Sequence, residues 1–472
     1  MLQMLLFALL VFGLGVAVIL RPPVALAGIF CLYGLKQWAQ GTMVFFVQHG
    51  AVPNLCMGLL LLLGLTVKLL RGERVFSPYP GVGWRTLLLF AYAALTLLWT
   101  LDQGKSADLL LQALPYIITV IMLAPLLISS REDLRPVALA LLVFGGLLAL
   151  LILLQVNWFN RRIVMAGASF EGEAGNPLAV AQLGGYLVLA AMLLHLRNLR
   201  LLGWLLRLGL TVLGLLLIVK SGSRGQFLAL LAVLILFVPL RQRIDDPVKF
   251  MGFLFSFLII AGLAFWLQSG FTTEVDTAHR WSSGKMATDM AGRFQNLGTL
   301  FGIWSLNSLG KLVFGLGNSS SYAIRQLGIY PHFVPGEVLA EEGLPGILLY
   351  LSLLAGSLGN IRRAYALIRD RAEARADLAL FGGILTYEFL LSLKQGSLLS
   401  NTFFFGMVIL LGRIRRIYET DADLDDTNLD DTGLADSDRT NAGQAGADSP
   451  GARQNQPVPW PTANPQGAGT QP

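Results

Sequence analysis

Three basic side chains have types and settings suited to chemistry on a phosphate-bearing substrate. His332 lies in the stretch Tyr330-Pro331-His332-Phe333-Val334-Pro335-Gly336-Glu337, where Pro335 predicts a short helix running through Glu342. Histidine is the side chain most easily used as a general base near neutral pH. Arg293 and Arg224 carry guanidinium groups, whose paired donors suit phosphate oxygens. These three residues are therefore the leading candidates for a functional site.

Each candidate also has an ordinary structural interpretation. His332 fits a loop histidine that is hydrogen-bonded to backbone, and Arg293 fits a solvated arginine at the start of a helix. Arg224 fits an interfacial arginine that snorkels toward the membrane surface. Residue type alone leaves these alternatives open, so the elements that position the residues must be considered.

The composition predicts that those elements are membrane helices. The chain has 472 residues, of which 54% are hydrophobic and 14% are charged, whereas soluble domains carry about 25% charged residues. We therefore expect an all-α polytopic membrane protein. From Glu419 onward, ten acidic residues against Arg439 and Arg453 give a net charge of −8, which leaves +14 on the body. A basic body fits loops that face anionic lipid headgroups, and no nucleic-acid motif is present.

Thirteen apolar runs are long enough to be candidates for crossing a bilayer of about 30 Å. The first two are short, so we expect about 12 crossings. The runs are 2–20, 24–40, 52–70, 86–101, 108–129, 136–156, 177–196, 202–219, 225–240, 250–268, 344–360, 377–394 and 400–413.

The distribution of Lys and Arg among the loops predicts the orientation. If the helices alternate, the basic stretches 71–85, 131–135, 197–200, 241–249, 360–376 and 413–416 share one face. The positive-inside rule makes that face cytoplasmic. The opposite face then holds 270–343, together with two short loops that keep cations against the rule. These loops carry Arg161 and Arg162 in one and Lys220 and Arg224 in the other, which favours a function for them.

The boundaries divide the chain into four parts. Residues 1–269 are predicted to form the N-terminal transmembrane helices, and 270–343 a large, mostly helical loop on the opposite face that carries two of the leading candidates, Arg293 and His332. Residues 344–416 form the C-terminal transmembrane helices. Residues 417–472 form an acidic cytoplasmic tail, for which we expect disorder because it buries too little apolar surface. The loop is expected to fold as a lid over a membrane cavity.

Further cations on the outer face are candidates for holding an anionic headgroup, namely Arg161, Arg162, Arg280 and Lys220. A bound metal is not expected, because the outer loops contain no histidine pair at i,i+4, no cysteine cluster and no Asp-x-Asp pair.

Several short motifs, in this order, resemble the O-antigen ligase and polymerase superfamily of bacterial membrane glycosyltransferases, and the ligases most closely. The resemblance covers roughly residues 80 to 415. It rests on Ser221-Gly222-Ser223-Arg224-Gly225, on Gly292-Arg293 leading to Gly315-Leu316-Gly317, on His332 with Glu337 and Gly343, and on Gly175-Asn176-Pro177. Phe333 stands where the family usually has Asn, which removes one expected polar neighbour of the histidine.

This resemblance implies transfer of a polysaccharide from undecaprenyl pyrophosphate to a sugar hydroxyl of lipid A-core, at the periplasmic face of the bacterial inner membrane. The donor carries its own activation, so no cofactor, nucleotide or metal is implied. By position, Arg224 and Arg293 would neutralise the pyrophosphate. His332 would act as base or hold the diphosphate, and Glu337 would contact substrate. Direct displacement would invert the anomeric centre.

Three other functions remain as alternatives. An O-antigen polymerase shares the donor and differs in the acceptor. A protein O-oligosaccharyltransferase commonly has additional C-terminal sequence beyond the shared core. From another class, a transporter of lipid-linked oligosaccharide would use the outer arginines for recognition alone. No convincing internal repeat of the kind found in transporters is visible in the sequence.

Overall fold

The chain is almost entirely helical within the residues that its structure, a computed structural model, describes. These are residues 1–73, 75, 79, 81–159, 162–167, 175–195, 200–242, 246–271 and 283–442. Residues 1–420 form one compact unit and residues 421–472 form another. The described part of the 270–343 loop therefore belongs to the same unit as the apolar helices.

The first half of the described chain contains eight α-helices and one short hairpin. They are α1 (Leu2–Leu20), α2 (Ala25–Thr42), α3 (Val44–Gln48), α4 (Val52–Leu70), α5 (Gly81–Thr96), α6 (Gln103–Tyr116), α7 (Leu134–Gln155), β1 (Trp158–Phe159), β2 (Arg162–Ile163) and α8 (Pro177–Leu193). The two strands are antiparallel, with Phe159 opposite Arg162.

The second half of the described chain contains α-helices and short turns. They are α9 (Arg200–Lys220), α10 (Arg224–Gln242), α11 (Pro247–Phe271), α12 (Ser283–Ser305), α13 (Leu309–Phe314), α14 (Val334–Ile368), α15 (Ala372–Ser392) and α16 (Thr402–Ala442). Each of the thirteen predicted apolar runs overlaps one of the helices from the two halves.

Seven helical stretches among the described residues are long and apolar enough to cross a membrane. Two shorter apolar helices, Pro177–Leu193 and Pro247–Leu263, accompany them. The membrane class is supported in this coarse form, while the count of about 12 crossings stays a prediction. The seven stretches are Leu2–Leu20, Val52–Leu70, Gln103–Leu127, Arg131–Gln155, Leu201–Lys220, Arg224–Gln242 and Val334–Ile368.

One end of the bundle joins several of the basic stretches that the sequence assigns to a single face. Lys68, at the end of α4, is fully buried and forms ion pairs with Glu73 at 2.7 Å and with Asp133, just before α7, at 2.8 Å. Arg413 in α16 donates to the Ile128 carbonyl at 3.0 Å. Arg135 in α7 lies 3.7 Å from Glu373 in α15. These contacts tie α4, α7, α15 and α16 together at this end.

The opposite end joins the loops in which cations run against the positive-inside rule. Trp38 Nε1 near the end of α2 donates to Gln155 Oε1 at the end of α7, at 3.2 Å. Gln226 in α10 donates to the Leu178 carbonyl at the start of α8, at 2.9 Å. Asn176 caps α8, because its Oδ1 accepts from Leu178 N at 3.0 Å. We call this the outer end.

The sequence predicts a single helix over 108–129, whereas the structure has three successive types of helix there. The α-helix α6 ends at Tyr116, a π-helix covers Ile117–Leu123, and a 3₁₀ turn covers Ala124–Leu127. Pro115 lies at the change, and it has no N–H to continue the i→i−4 ladder. Short π segments re-aim the side chains that flank them and are frequent at functional sites.

Gly343 divides α14 into a short helix and a longer apolar one, as the sequence predicts. Its φ of 65° and ψ of −158° lie in a region that is essentially open to glycine alone. A Cβ there would overlap the Val313 carbonyl oxygen, and a Cβ on Gly315 would in turn overlap the Glu341 carbonyl. The two glycines thus lie back to back, which fixes the short helix 334–342 against the segment before it.

One helix extends past the predicted start of the acidic tail, while the disorder of that tail stays a prediction. Helix α16 continues from Thr402 to Ala442, past residue 417, where the sequence places the start of the tail. Extending an existing helix costs far less than nucleating one, so an apolar helix can propagate into a polar sequence. Residues 443–472 lie outside the described residues.

Candidate functional site

Two adjacent carboxylates on the short helix 334–342 hold the segment 315–322 against the outer end. Glu341 accepts hydrogen bonds from the backbone N–H groups of Ser319 and Ser321, both at 2.7 Å. Glu342 accepts from Asn318 Nδ2 at 2.9 Å, and its other oxygen lies 3.0 Å from the Thr96 hydroxyl of α5. Both glutamates are buried. Their oxygens are therefore occupied by the protein itself, and their role is to position the segment.

Glu337, one turn earlier on the same helix, has a different environment. Its Oε1 accepts from Leu398 N at 3.1 Å, in the loop 393–401 between α15 and α16. Its Oε2 is buried and has no hydrogen-bond partner among the described residues. A buried polar atom without a partner is costly, which makes it a marker for strain, catalysis or ligand binding. Of the three carboxyl groups on this helix, Glu337 therefore has an oxygen that no described residue satisfies.

His332 lies directly before this helix in a strained backbone conformation. Its φ is +62°, in the left-handed region that non-glycine residues seldom adopt. The half-buried imidazole meets the ring of Tyr330 edge-on, with 4.4 Å between the centroids. Burial, and then the charge of Arg293, lower the pKa of His332 below its usual 6.5. The imidazole is therefore neutral at pH 7 and able to accept a proton.

Lys394 is a functional candidate that the sequence analysis missed. It lies in the loop 393–401, and its Nζ is 3.4 Å from the Ser223 hydroxyl in the turn that precedes α10. A Cβ on Gly225 would overlap Lys394 Cδ, so the lysine packs directly over that turn. Burial, and then the charge of Arg293, lower its pKa to about 7. This ammonium is therefore ionised only in part at neutral pH.

Two of the three residues chosen from sequence, Arg224 and Arg293, lie near Lys394, and His332 lies near Arg293. Arg224 lies between Ser223 and Gly225, the two residues that Lys394 contacts. Arg293 is exposed on α12, yet its charge acts on both Lys394 and His332. Four basic side chains from four separate elements thus gather at the outer end. We call Arg224, Arg293, His332 and Lys394 the basic cluster.

Tyr330 connects the basic cluster to Glu337. Burial raises the pKa of Tyr330, the charge of Glu337 raises it further, and the charge of Arg293 lowers it. The phenol therefore lies within reach of both charges. Like charges brought together repel one another unless an anion compensates them. The positive charge gathered here therefore favours an anionic ligand such as a phosphate group.

The other predicted binding residues are not joined to the basic cluster by any contact among the described residues. Arg162 is exposed on β2. The Lys220 ammonium lies 5.1 Å from the centroid of the Trp158 ring, a cation–π contact that accounts for this lysine without a substrate. Arg161 and Arg280 lie outside the described residues, so their proposed contacts stay predictions.

Metal ligation has no cluster to support it within the described ranges, where no three His, Cys, Asp or Glu side chains group as a metal site. The comparisons with known proteins add nothing further, since no family model and no curated protein matches this sequence.

Proposed function

We propose that this chain is a glycosyltransferase of the O-antigen ligase type. It would move a polysaccharide from undecaprenyl pyrophosphate to a sugar hydroxyl of lipid A-core, at the periplasmic face of the bacterial inner membrane. The observation that supports this most is the gathering of the basic cluster at one end of an apolar helical bundle. A lipid pyrophosphate is both anionic and membrane-bound, so it suits such a place.

The proposed reaction is a direct displacement at the anomeric carbon. The acceptor oxygen forms a bond to that carbon while the bond to the pyrophosphate oxygen breaks, and the electron pair leaves with the pyrophosphate. The acceptor proton passes to the imidazole of His332. Arg224, Arg293 and Lys394 neutralise the charge that grows on the leaving group, an electrostatic effect that is strong where water is excluded. The anomeric configuration would be inverted.

The lowered pKa of His332 fits its assignment as base. An imidazole that is neutral at pH 7 can take a proton, while an imidazolium can only donate one. Three other cations can hold the diphosphate without it. Between the two roles that the sequence leaves open, base and diphosphate ligand, the geometry and the charge state therefore favour the base.

The function is tested by reconstitution of the full chain in liposomes with lipid-linked polysaccharide and lipid A-core, without nucleotide. We expect core to shift to a polysaccharide-bearing form on a gel. Arg224→Ala, Arg293→Ala and His332→Ala should each lose the shift. Arg325→Ala is the matched control, since Arg325 is an exposed arginine between the segment 315–322 and His332. Full transfer by all three variants would refute the site.

The same assay separates the remaining alternatives. Supplying a second lipid-linked saccharide in place of lipid A-core would reveal a polymerase, and an acceptor peptide would reveal a protein O-oligosaccharyltransferase. A transporter would move the donor between leaflets and form no new glycosidic bond. Inhibition of wild-type transfer by a chelator would contradict a metal-independent reaction.

A further inference from the structure

A cavity of about 240 Å³ lies at the outer end, and Tyr322 and Ser397 form part of its wall. It is formed by α2, α6, the segment 315–322, the loop 393–401 and the start of α16. Its lining residues are Tyr33, Leu109, Gln112, Ala113, Tyr116, Ser319, Tyr322, Ser397, Leu399, Ser400 and Thr402. We call it the hydroxyl cavity.

The lining chemistry restricts what this cavity can hold. Of the eleven lining residues, eight carry a hydroxyl, phenol or amide group, and none carries a formal charge. Such groups donate and accept hydrogen bonds in several directions. The three remaining residues, Leu109, Ala113 and Leu399, are apolar. A neutral ligand with many hydroxyl groups and some apolar surface matches this lining, and a sugar ring has both properties.

One face of α6 lines the cavity. Leu109, Gln112, Ala113 and Tyr116 follow the spacing i, i+3, i+4, i+7, so they lie on a single helix face. The π-helix begins directly after Tyr116. The Tyr116 hydroxyl accepts from Asn54 Nδ2 at 2.8 Å. These features fix a phenol at the cavity wall and form a rigid surface.

The cavity borders the free carboxylate of the site. Burial, and then the charge of Glu337, raise the pKa of Tyr322, which places this cavity-lining phenol beside Glu337. Ser397 lines the cavity too, and its neighbour Leu398 donates to Glu337 Oε1 at 3.1 Å. The cavity wall therefore includes one side chain next to Glu337 and the residue that precedes its hydrogen-bond donor.

We propose that the hydroxyl cavity binds a neutral sugar residue of the acceptor, separately from the pyrophosphate of the donor. This rests on the proposed function, because it divides the two substrates of one transfer between two regions. An isoprenoid or acyl chain is the other ligand that a membrane protein could accept here. The polar groups of the lining would lose water against such a chain, which is unfavourable for every hydrogen-bonding position that the protein itself leaves unfilled.

The test fills the cavity and measures sugar binding directly. The full chain in detergent is mixed with the oligosaccharide released from lipid A-core, and saturation-transfer NMR records which sugar protons contact protein. Ala113→Trp places an indole in the cavity, since Ala113 is buried on the lining face. We expect the sugar signals to disappear, and the acceptor KM in the transfer assay to rise roughly tenfold or more with the donor KM unchanged.

The matched control is Leu111→Trp, which adds the same side chain to the same helix at a residue that is 64% exposed. It should keep both the signals and the acceptor KM. Gln112→Leu removes one hydrogen-bonding group without adding bulk, and it should weaken the signals. It serves as the test if Ala113→Trp proves unstable on heating. Sugar signals that are equal in wild type, Ala113→Trp and Gln112→Leu would overturn the proposal.

Failure of the proposed function would look different. If wild type forms no glycosidic bond but its sugar signals vanish in Ala113→Trp, the cavity binds sugar and the reaction is wrong. If transfer occurs and the sugar signals are absent from wild type, the cavity proposal alone is wrong. If Ala113→Trp abolishes the binding of a spin-labelled isoprenoid and leaves the sugar signals unchanged, the cavity binds lipid.

Discussion

The basic cluster and the hydroxyl cavity lie at the same end of the molecule, yet their chemistry is opposite. The cluster brings four basic groups together, and the lining of the cavity carries no formal charge. Glu337 acts electrostatically on a phenol of each region, on Tyr322 in the cavity wall and on Tyr330 beside His332. This difference indicates that the two regions select ligands by different means, one by charge and the other by hydrogen bonds and shape. Charge effects fall with salt, whereas hydrogen bonds in a cavity do so much less.

The largest effect expected from breaking this arrangement comes from His332→Ala. Removal of a general base lowers a rate by about 10²- to 10⁴-fold, so kcat should fall within that range. Because the imidazole belongs to the cluster side, sugar binding in the cavity should not change. Single-turnover kinetics, together with saturation-transfer NMR on the same sample, check both expectations. A variant that loses sugar binding as well would show that the two regions are not separate.

Lys394→Met should have the next largest effect, on the donor alone. A hydrogen bond to a charged group contributes about 1.5–3 kcal/mol, so the donor KM should rise by roughly ten- to hundredfold. Lys394→Arg keeps the charge and should restore much of the affinity. The measurement is the donor KM at fixed acceptor concentration. An equal rise in the acceptor KM would place Lys394 outside the donor site.

The pH dependence of the donor KM sharpens the assignment of Lys394. Its ammonium form binds the anion, and its pKa is lowered to about 7. Donor affinity should therefore be greatest below pH 7 and weaken as the pH rises through this value. His332 affects kcat in the opposite sense, because its neutral form acts as base and is lost only below its lowered pKa. Lys394→Arg should remove the loss of donor affinity at alkaline pH and keep the loss of kcat at acidic pH.

Tyr116→Phe should have the smallest effect, and on the acceptor alone. It removes one hydroxyl from the cavity wall, and a neutral hydrogen bond contributes about 0.5–1.5 kcal/mol. The acceptor KM should rise roughly two- to tenfold. Tyr92→Phe is the control, since the Tyr92 hydroxyl donates to the Phe314 carbonyl and does not line the cavity. A matching change in the control would indicate a general loss of packing.

Much of the fold was predictable because apolar length and helix signals are local properties of a sequence. Each of the thirteen predicted runs overlaps a helix, and the short helix through Glu342 ends at Gly343 as Pro335 and Gly343 indicate. The π-helix after Tyr116 was not predicted, since hydropathy does not distinguish types of helix. The extension of α16 past residue 417 was also not predicted, because polar composition argues against an isolated helix and says little about the extension of an apolar one.

The site was predicted in part for the same reason. His332, Arg293 and Arg224 stand out as cations at sites where membrane topology disfavours them or in a long polar loop. Lys394 is also a cation on the outer side, but it is the last residue of the predicted apolar run 377–394. The sequence therefore does not set it apart from that run. Glu341 and Glu342 could not be recognised, since their partners Ser319, Ser321 and Asn318 are about twenty residues away.

The back-to-back contact of Gly315 and Gly343 limits how this sequence can change in evolution. A side chain at either position would overlap backbone atoms of the segment that carries the other glycine. A substitution at one glycine therefore cannot be compensated by a change at its partner. Homologues that keep this contact should therefore retain both glycines even where the surrounding segment diverges. The pair, 28 positions apart in this chain, is a signature by which distant relatives could be recognised from sequence.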